Sequence, residues 1–237
     1  MQLFYHPDIN PGTESAHFSR EESRHMVRVL RKKTGDRIFI TDGRGRRYEA
    51  EIIDPGEKKC QVQILGSESI ADPRGYRLHI AMAPTKMNDR FEWFLEKCTE
   101  IGIDEITPVL CEHSERKKIN PERFEKVILS AMKQSLKYTL PRLNSIRRLE
   151  DLVASSRSEA RLIAHCEEGV KKNLPELVKG KKDILILIGP EGDFAPREIE
   201  LALSNGFRGL SLGASRLRTE TAGVVACSQV SLIKEFL

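Results

Sequence analysis

The chain has 237 residues, of which 39% are hydrophobic and 31% charged, with a formal net charge of +4. That length accommodates one large domain or two modest ones, each with its own core, and the composition excludes a disordered polymer. No apolar run approaches the roughly 20 residues a membrane helix needs, and the opening MQLFYHPDIN lacks the basic-then-apolar order of a signal peptide.

Taken in chain order, Ser19 with Glu22 three residues on forms a capping box that opens a helix through Leu30. After Gly35 come short alternating segments at Arg37–Thr41, Tyr48–Ile53 and Cys60–Leu65, separated by DGRG (42–45) and DPG (54–56) turn chemistry. Short strands with tight turns predict a small β-barrel. Residues 20–47 carry a concentration of Lys and Arg, including Arg24, Arg28, Arg31, Arg44 and Arg46, against four acids, Glu21, Glu22, Asp36 and Asp42. Such a patch suits a phosphate-backbone binder, and equally a solvated basic surface. Ser67–Gly75, with Pro73, reads as a linker, so the boundaries are drawn at 1–72 and 73–237.

From Tyr76 the pattern turns to strands alternating with helices. The strands are expected at Leu78–Ala83, Glu105–Leu110, Arg161–His165, Ile184–Ile188 and Gly209–Leu212. Asn88 or Asp89 caps a helix whose Phe91, Leu95, Cys98 and Ile101 recur at helical spacing and which Gly102 ends. Asn120-Pro121 opens a helix running Arg123–Tyr138, Pro196 opens one that Gly206 closes, and Thr219 or Thr221 is placed to cap Val224–Phe236. Ala195 is a poor cap, so another group must satisfy the start of the Pro196 helix. Nearly continuous apolar strands, such as ILILI at 184–188, predict a mostly parallel sheet covered on both faces, an α/β fold.

Ligands of such sheets bind beyond the carboxyl ends of the strands. Two of those ends are glycine-bearing, IGPEGDF at 188–194 and LGASRLRTETAG at 212–223. Each alone is compatible with an ordinary turn. The chain has no G-x-x-x-x-G-K-[ST], no G-x-G-x-x-G after a strand, no G-x-S-x-G and no H-E-x-x-H, which excludes the commonest nucleotide, hydrolase and zinc-protease signatures. The five cysteines form no C-x-x-C pair and predict reduced, buried thiols in a cytoplasmic protein without a metal site.

The two loops, in this order near the C-terminus, resemble the SPOUT superfamily of knotted methyltransferases, and are most similar to its 16S ribosomal RNA uridine-N3-methyltransferase family. RHMVRVLR (24–31) with TDGRG (41–45) is similar to that family's N-terminal PUA-like domain. Lys86, EKCTEIGIDEITPV (96–109) and AMKQSLKYTLP (131–141) are similar to segments of its catalytic domain, with Lys133 and Lys137 standing where many members have an acidic residue and an Arg. The resemblance implies a trefoil-knotted domain that uses S-adenosylmethionine, a homodimer, and small-subunit ribosomal RNA as partner, within an assembled 30S subunit. It further implies a cofactor pocket lined by Leu187, Gly189, Glu191, Gly192, Leu212, Gly213, Leu217 and Arg218, with Ala164-His165-Cys166 as a third wall. Arg218 is expected to stabilise the uridine anion, and Glu220 to accept its proton or position Arg218, although a purely structural Arg218–Glu220 pair fits as well. Arg24, Arg28, Arg31, Arg44 and Arg46 are the expected RNA contacts, and Val224, Val225, Val230, Leu232, Ile233 and Phe236 either form the dimer face or pack within one subunit. Activity on another RNA position or on transfer RNA, and a non-catalytic assembly factor that retains the fold, are the competing readings.

Overall fold

The computed structural model describes residues 2–236. It divides into two compact units, the chain up to Pro73 together with Leu129–Leu140, and Arg74–Ile128 together with the chain from Pro141.

The first unit contains β1 (Leu3–Tyr5), β2 (Ser15–His17), α1 (Arg20–Arg24), β3 (Arg37–Thr41), β4 (Arg46–Asp54) and β5 (Gln61–Ser69). Its sheet runs β1-β3-β4-β5-β2 and curls into a half-barrel rather than a closed one. Along β4 the side chains of Tyr48, Ala50 and Ile52 are buried while Glu49 and Glu51 are half-exposed, the two-residue period of a sheet with one face on a core. That core also takes Phe4, Phe18, Met26 and Ile40. The sequence pattern misses β1 and β2, which are three residues each. β5 runs on to Ser69, into the segment expected to be linker. Ser19 Oγ accepts from the Glu22 amide at 3.3 Å as the capping box requires. The reciprocal half is absent, because the Glu22 carboxylate accepts instead from Lys133 Nζ at 3.0 Å. Beyond α1 the helix widens into a π turn at His25–Val29, so the helix expected through Leu30 exists in two geometries.

The second unit follows the chain through β6 (Arg77–Met82), α2 (Asn88–Ile101), β7 (Glu105–Leu110), α3 (Pro121–Gln134), β8 (Arg142–Leu143), β9 (Arg147–Arg148) and α4 (Leu149–Ser155). It continues through β10 (Ala160–Ala164), β11 (Lys172–Asn173), α5 (Leu174–Val178), β12 (Asp183–Ile188), α6 (Pro196–Ser204), β13 (Arg208–Ser211) and α7 (Thr219–Phe236). The end of α3, from Leu129, belongs to the first unit. The sheet order is β11-β13-β10-β12-β6-β7-β8, with β9 also paired to β7, and every pairing is parallel. The continuous apolar strands are buried on both faces as predicted, with Ile80, Ala81, Leu185, Ile186 and Leu187 essentially inaccessible. Between β6 and β7, His79 Nε2 lies 2.7 Å from Thr107 Oγ1, which also accepts from Asn144 Nδ2 at 2.7 Å. From β13 the chain returns past β10 and β12, and α7 packs against α2, β6 and β12.

Several helix ends differ from the sequence reading. α2 begins at Asn88 with extended Met87 as its cap, so Asn88 and Asp89 lie inside the first turn rather than capping it. Asn120 Oδ1 does cap α3, accepting from the Arg123 amide at 3.2 Å, but α3 stops at Gln134 instead of reaching Tyr138. Leu136, at φ 55°, cannot continue a right-handed helix. α6 lacks a side-chain cap at Ala195, and Glu198 Oε2 accepts from the Ala195 amide at 2.9 Å in its place. α7 starts at Thr219, five residues earlier than the apolar run suggests, which puts Thr221 inside it and makes Arg218 the flanking residue.

Candidate active site

The carboxyl ends of three neighbouring parallel strands, β13, β10 and β12, open into one cavity of about 820 Å3. Its walls are Ala164–Glu167 with Lys171, Ile188–Asp193, and Leu210–Arg218, closed by Thr219 and Ala222 of α7. The two glycine-bearing loops therefore meet, and the third wall is the one expected after β10. This is where an open parallel sheet presents its ligand site.

Gly189, Glu191, Gly192, Leu212, Gly213, Leu217 and Arg218 all line the cavity. Leu187 does not: period two along β12 turns it into the core with Ala81, Ile163 and Leu185. Glu220 also lies off the wall. It shares the buried face of α7 with Gly223 and Cys227, is 6% exposed, and its Oε1 lies 3.8 Å from Arg90 Nε on α2. Its Oε2 is buried without a hydrogen-bond partner among the described residues. Glu220 is thus partnered by Arg90, not by Arg218, and Arg218 stands exposed on the cavity wall with no ion pair among the described residues.

The loops are fastened by backbone-directed bonds. The Asp193 carboxylate accepts from the Cys166 amide at 2.7 Å and from the Phe194 amide at 2.8 Å, joining two walls. Glu191 Oε1 accepts from the Lys86 amide at 3.0 Å, and Gln229 Nε2 of α7 donates to the Leu212 carbonyl at 3.3 Å. Asp193 adopts φ 61° and Gly213 φ 128°. A Cβ on Gly213 would meet nothing within 4 Å, so it is the backbone angle, which side chains resist, and not crowding that calls for glycine here. Burial, and then the nearby Lys171, lower the pKa of the His165 imidazole, favouring a neutral ring at the cavity wall. Cys166 corrects the expectation of uniformly buried thiols: it is exposed on the wall, while Cys60, Cys98, Cys111 and Cys227 are buried. Sequence reasoning missed the parts played by Asp193, Glu167 and Lys171. Only the position of Asp193 at the end of a glycine-bearing turn signalled its part.

The size of the cavity, its apolar surfaces at Ile188, Leu210 and Leu217 and its polar loop backbone fit an adenosyl cofactor such as S-adenosylmethionine. Fold and cavity together define a cofactor-dependent α/β enzyme of the SPOUT kind, carrying a PUA-like unit. Residues 72–231 match the RNA methyltransferase domain family and residues 18–65 the RNA methyltransferase PUA domain, so the chain belongs to the RNA methyltransferase family. It is similar to ribosomal RNA small subunit methyltransferase E of Mesomycoplasma hyopneumoniae, 30% identical over 91% of this chain and 94% of the relative. The protein of the same name from Rickettsia conorii is 29% identical over 88% and 86%. Among solved structures, a "probable rRNA-methyltransferase" from Porphyromonas gingivalis matches with a TM-score of 0.90 and 44% identity over 99% of both chains. Ribosomal RNA small subunit methyltransferase E from Neisseria gonorrhoeae, bound to S-adenosyl methionine, matches with a TM-score of 0.85 and 25% identity over 97% of this chain and 96% of that one. The sheet that organises the cavity is therefore shared with a structure that holds the cofactor.

Proposed function

We propose that this protein transfers a methyl group from S-adenosylmethionine to N3 of a uridine in small-subunit ribosomal RNA. The observation that carries the reading is the convergence of the two glycine-bearing loops with the Ala164–Glu167 turn as walls of one cavity. The relatives' names supply the RNA class.

The cofactor, when bound, supplies an electrophilic methyl group on a sulfonium. The chain holds it with the backbone of Gly189–Gly192 and Leu212–Leu217 and aligns the attacking atom. Uridine N3 bears a proton at neutral pH, so attack needs that proton passed to solvent water and the resulting anion stabilised. Arg218, an exposed cation on the cavity wall next to the start of α7, takes the second task, with the exposed Arg216 of the same loop adding positive charge. Glu220, buried behind the wall and facing Arg90, acts as a positioning residue that braces the start of α7 and with it Arg218.

RNA phosphates lie on the basic first unit. Arg24, Arg31 and Arg46 have no ion pair among the described residues and are free to contact them. Arg28 is engaged with Glu57 at 2.6 Å, and Arg44 with the carbonyls of Pro7 and Ile9 at 2.8 Å, so these two contribute charge from fixed positions. A second copy of the chain covers Leu232 and Phe236 of α7, which are 53% and 72% exposed, whereas Val230 belongs to the core. The protein works in the cytoplasm on an assembled 30S subunit. Among the described residues no helix is long and apolar enough to cross a membrane. Nucleoside mass spectrometry of ribosomal RNA from cells with and without the protein tests the reading. Loss of 3-methyluridine from small-subunit RNA, restored by the wild-type chain and not by Arg218→Ala, is expected. An unchanged nucleoside profile, or a change confined to transfer RNA, refutes it.

A further inference from the structure

The loop after β7, residues 111–120, contributes nothing to the cavity wall, yet one of its side chains reaches the loop that does. His113 Nδ1 lies 3.2 Å from the Gly192 carbonyl oxygen and 3.1 Å from that of Asp193. Carbonyl oxygens only accept, so Nδ1 carries the hydrogen and shares it between two consecutive carbonyls. The contact falls where the backbone is hardest to hold, since Asp193 is a non-glycine residue at φ 61°. It also explains Gly192, because a Cβ there would stand 3.2 Å from the His113 Cβ.

His113 is itself held in place. Ser114 Oγ accepts from the Cys111 amide at 2.9 Å, shaping the turn. Glu198 of α6, only 3% exposed, accepts from the Glu112 amide through Oε1 and from the Ala195 amide through Oε2, both at 2.9 Å. One buried carboxylate thus ties the 111–114 turn to the residue that follows the cofactor loop. On the opposite side the Asp193 carboxylate fixes the same loop to Cys166.

We propose that His113 is a positioning residue for S-adenosylmethionine: its Nδ1–H latches the carbonyls of Gly192 and Asp193 and keeps the Gly189–Asp193 wall in the shape that receives the cofactor. The inference rests on the cofactor reading given above. Calorimetric titration of S-adenosylmethionine into the full chain tests it, comparing wild type with His113→Ala, His113→Asn and His113→Gln. Asparagine places an amide nitrogen near the position of Nδ1, whereas glutamine carries its amide one bond farther out, towards Nε2. Loss of the donor in His113→Ala should weaken binding about tenfold, the scale of one hydrogen bond to a loop that must otherwise be ordered by the ligand. His113→Asn should recover most of that loss and His113→Gln little of it. Equal affinity in all four proteins overturns the latch, as does equal weakening by Asn and Gln. Should the alanine variant fail to fold, the Asn–Gln comparison alone decides. No binding by the wild type would instead sink the cofactor reading itself.

Discussion

Gly223 lies within α7 where that helix crosses α2, and a Cβ placed on it would stand 2.6 Å from two ring carbons of Phe94 and 3.0 Å from Met82 Sδ. Phe94 is fully buried, its ring 5.6 Å from that of Phe91, which stacks on Phe124 at 4.9 Å, so it has no free direction in which to retreat. An alanine inside an exposed helix would gain about 1 kcal/mol over glycine. Forcing a methyl into a close-packed seam costs about 1–3 kcal/mol, and the two ring contacts place this site at the upper end. Gly223→Ala should therefore lose about 2 kcal/mol net, contrary to the helix trend. Urea unfolding followed by far-ultraviolet circular dichroism measures the loss. The double variant Gly223→Ala with Phe94→Leu, which makes room for the methyl, should be less destabilised than the sum of its parts. A Gly223→Ala protein as stable as wild type would show that the seam is loose and that Gly223 serves something other than helix contact.

Three further outcomes follow from the burial and pairing of single side chains. Cys166 should be the one thiol among the five to react quickly with iodoacetamide, since the other four are buried and burial raises the thiol pKa of Cys60, Cys98 and Cys111; bound S-adenosylmethionine should protect it, and mass spectrometry of the alkylated peptides would reveal any other pattern. Lys133→Glu should destabilise the first unit by about 1–2 kcal/mol, because Lys133 and Glu22 are both mostly buried and their bond is charge-assisted; combining it with Glu22→Lys should restore most of the stability, and a double variant no better than the single would refute the pairing. Burial lowers the pKa of His79 below its ordinary 6.5, so the unfolded chain binds a proton there more readily than the folded one. Its contribution to stability is then complete above pH 6.5 and declines as the pH falls towards the lower folded value; melting temperatures from pH 7.5 to 5 should drop less steeply for His79→Asn, and parallel slopes would exclude this group as the cause.

How far the sequence carried the reading depended on how each signal arises. The strands of the second unit were legible because both faces are buried, which leaves runs such as ILILI that no exposed element would carry. Strands of two or three residues, such as β1, β2 and β11, hold too few side chains to show a period and exist because a neighbour pairs with them. The start of α7 is not legible because Thr219-Glu220-Thr221 has the polarity of a loop, and packing against α2, where Glu220 faces Arg90, draws these residues into the helix. The bond from Lys133 to Glu22, 111 positions away in the chain, carries no local signal at all.

The amino-acid sequence by itself determined the α/β alternation, the basic first unit and the two glycine-bearing loops, since period, charge and turn chemistry are local properties of neighbouring residues. Tertiary structure alone decided which of the named residues share a cavity. It turned Leu187 into the core and Glu220 towards Arg90, left Arg218 on the wall, and brought His113 from the loop after β7 onto the backbone of Gly192 and Asp193. The direction a side chain faces depends on strand register and helix phase, and these are set by contacts between segments far apart along the chain.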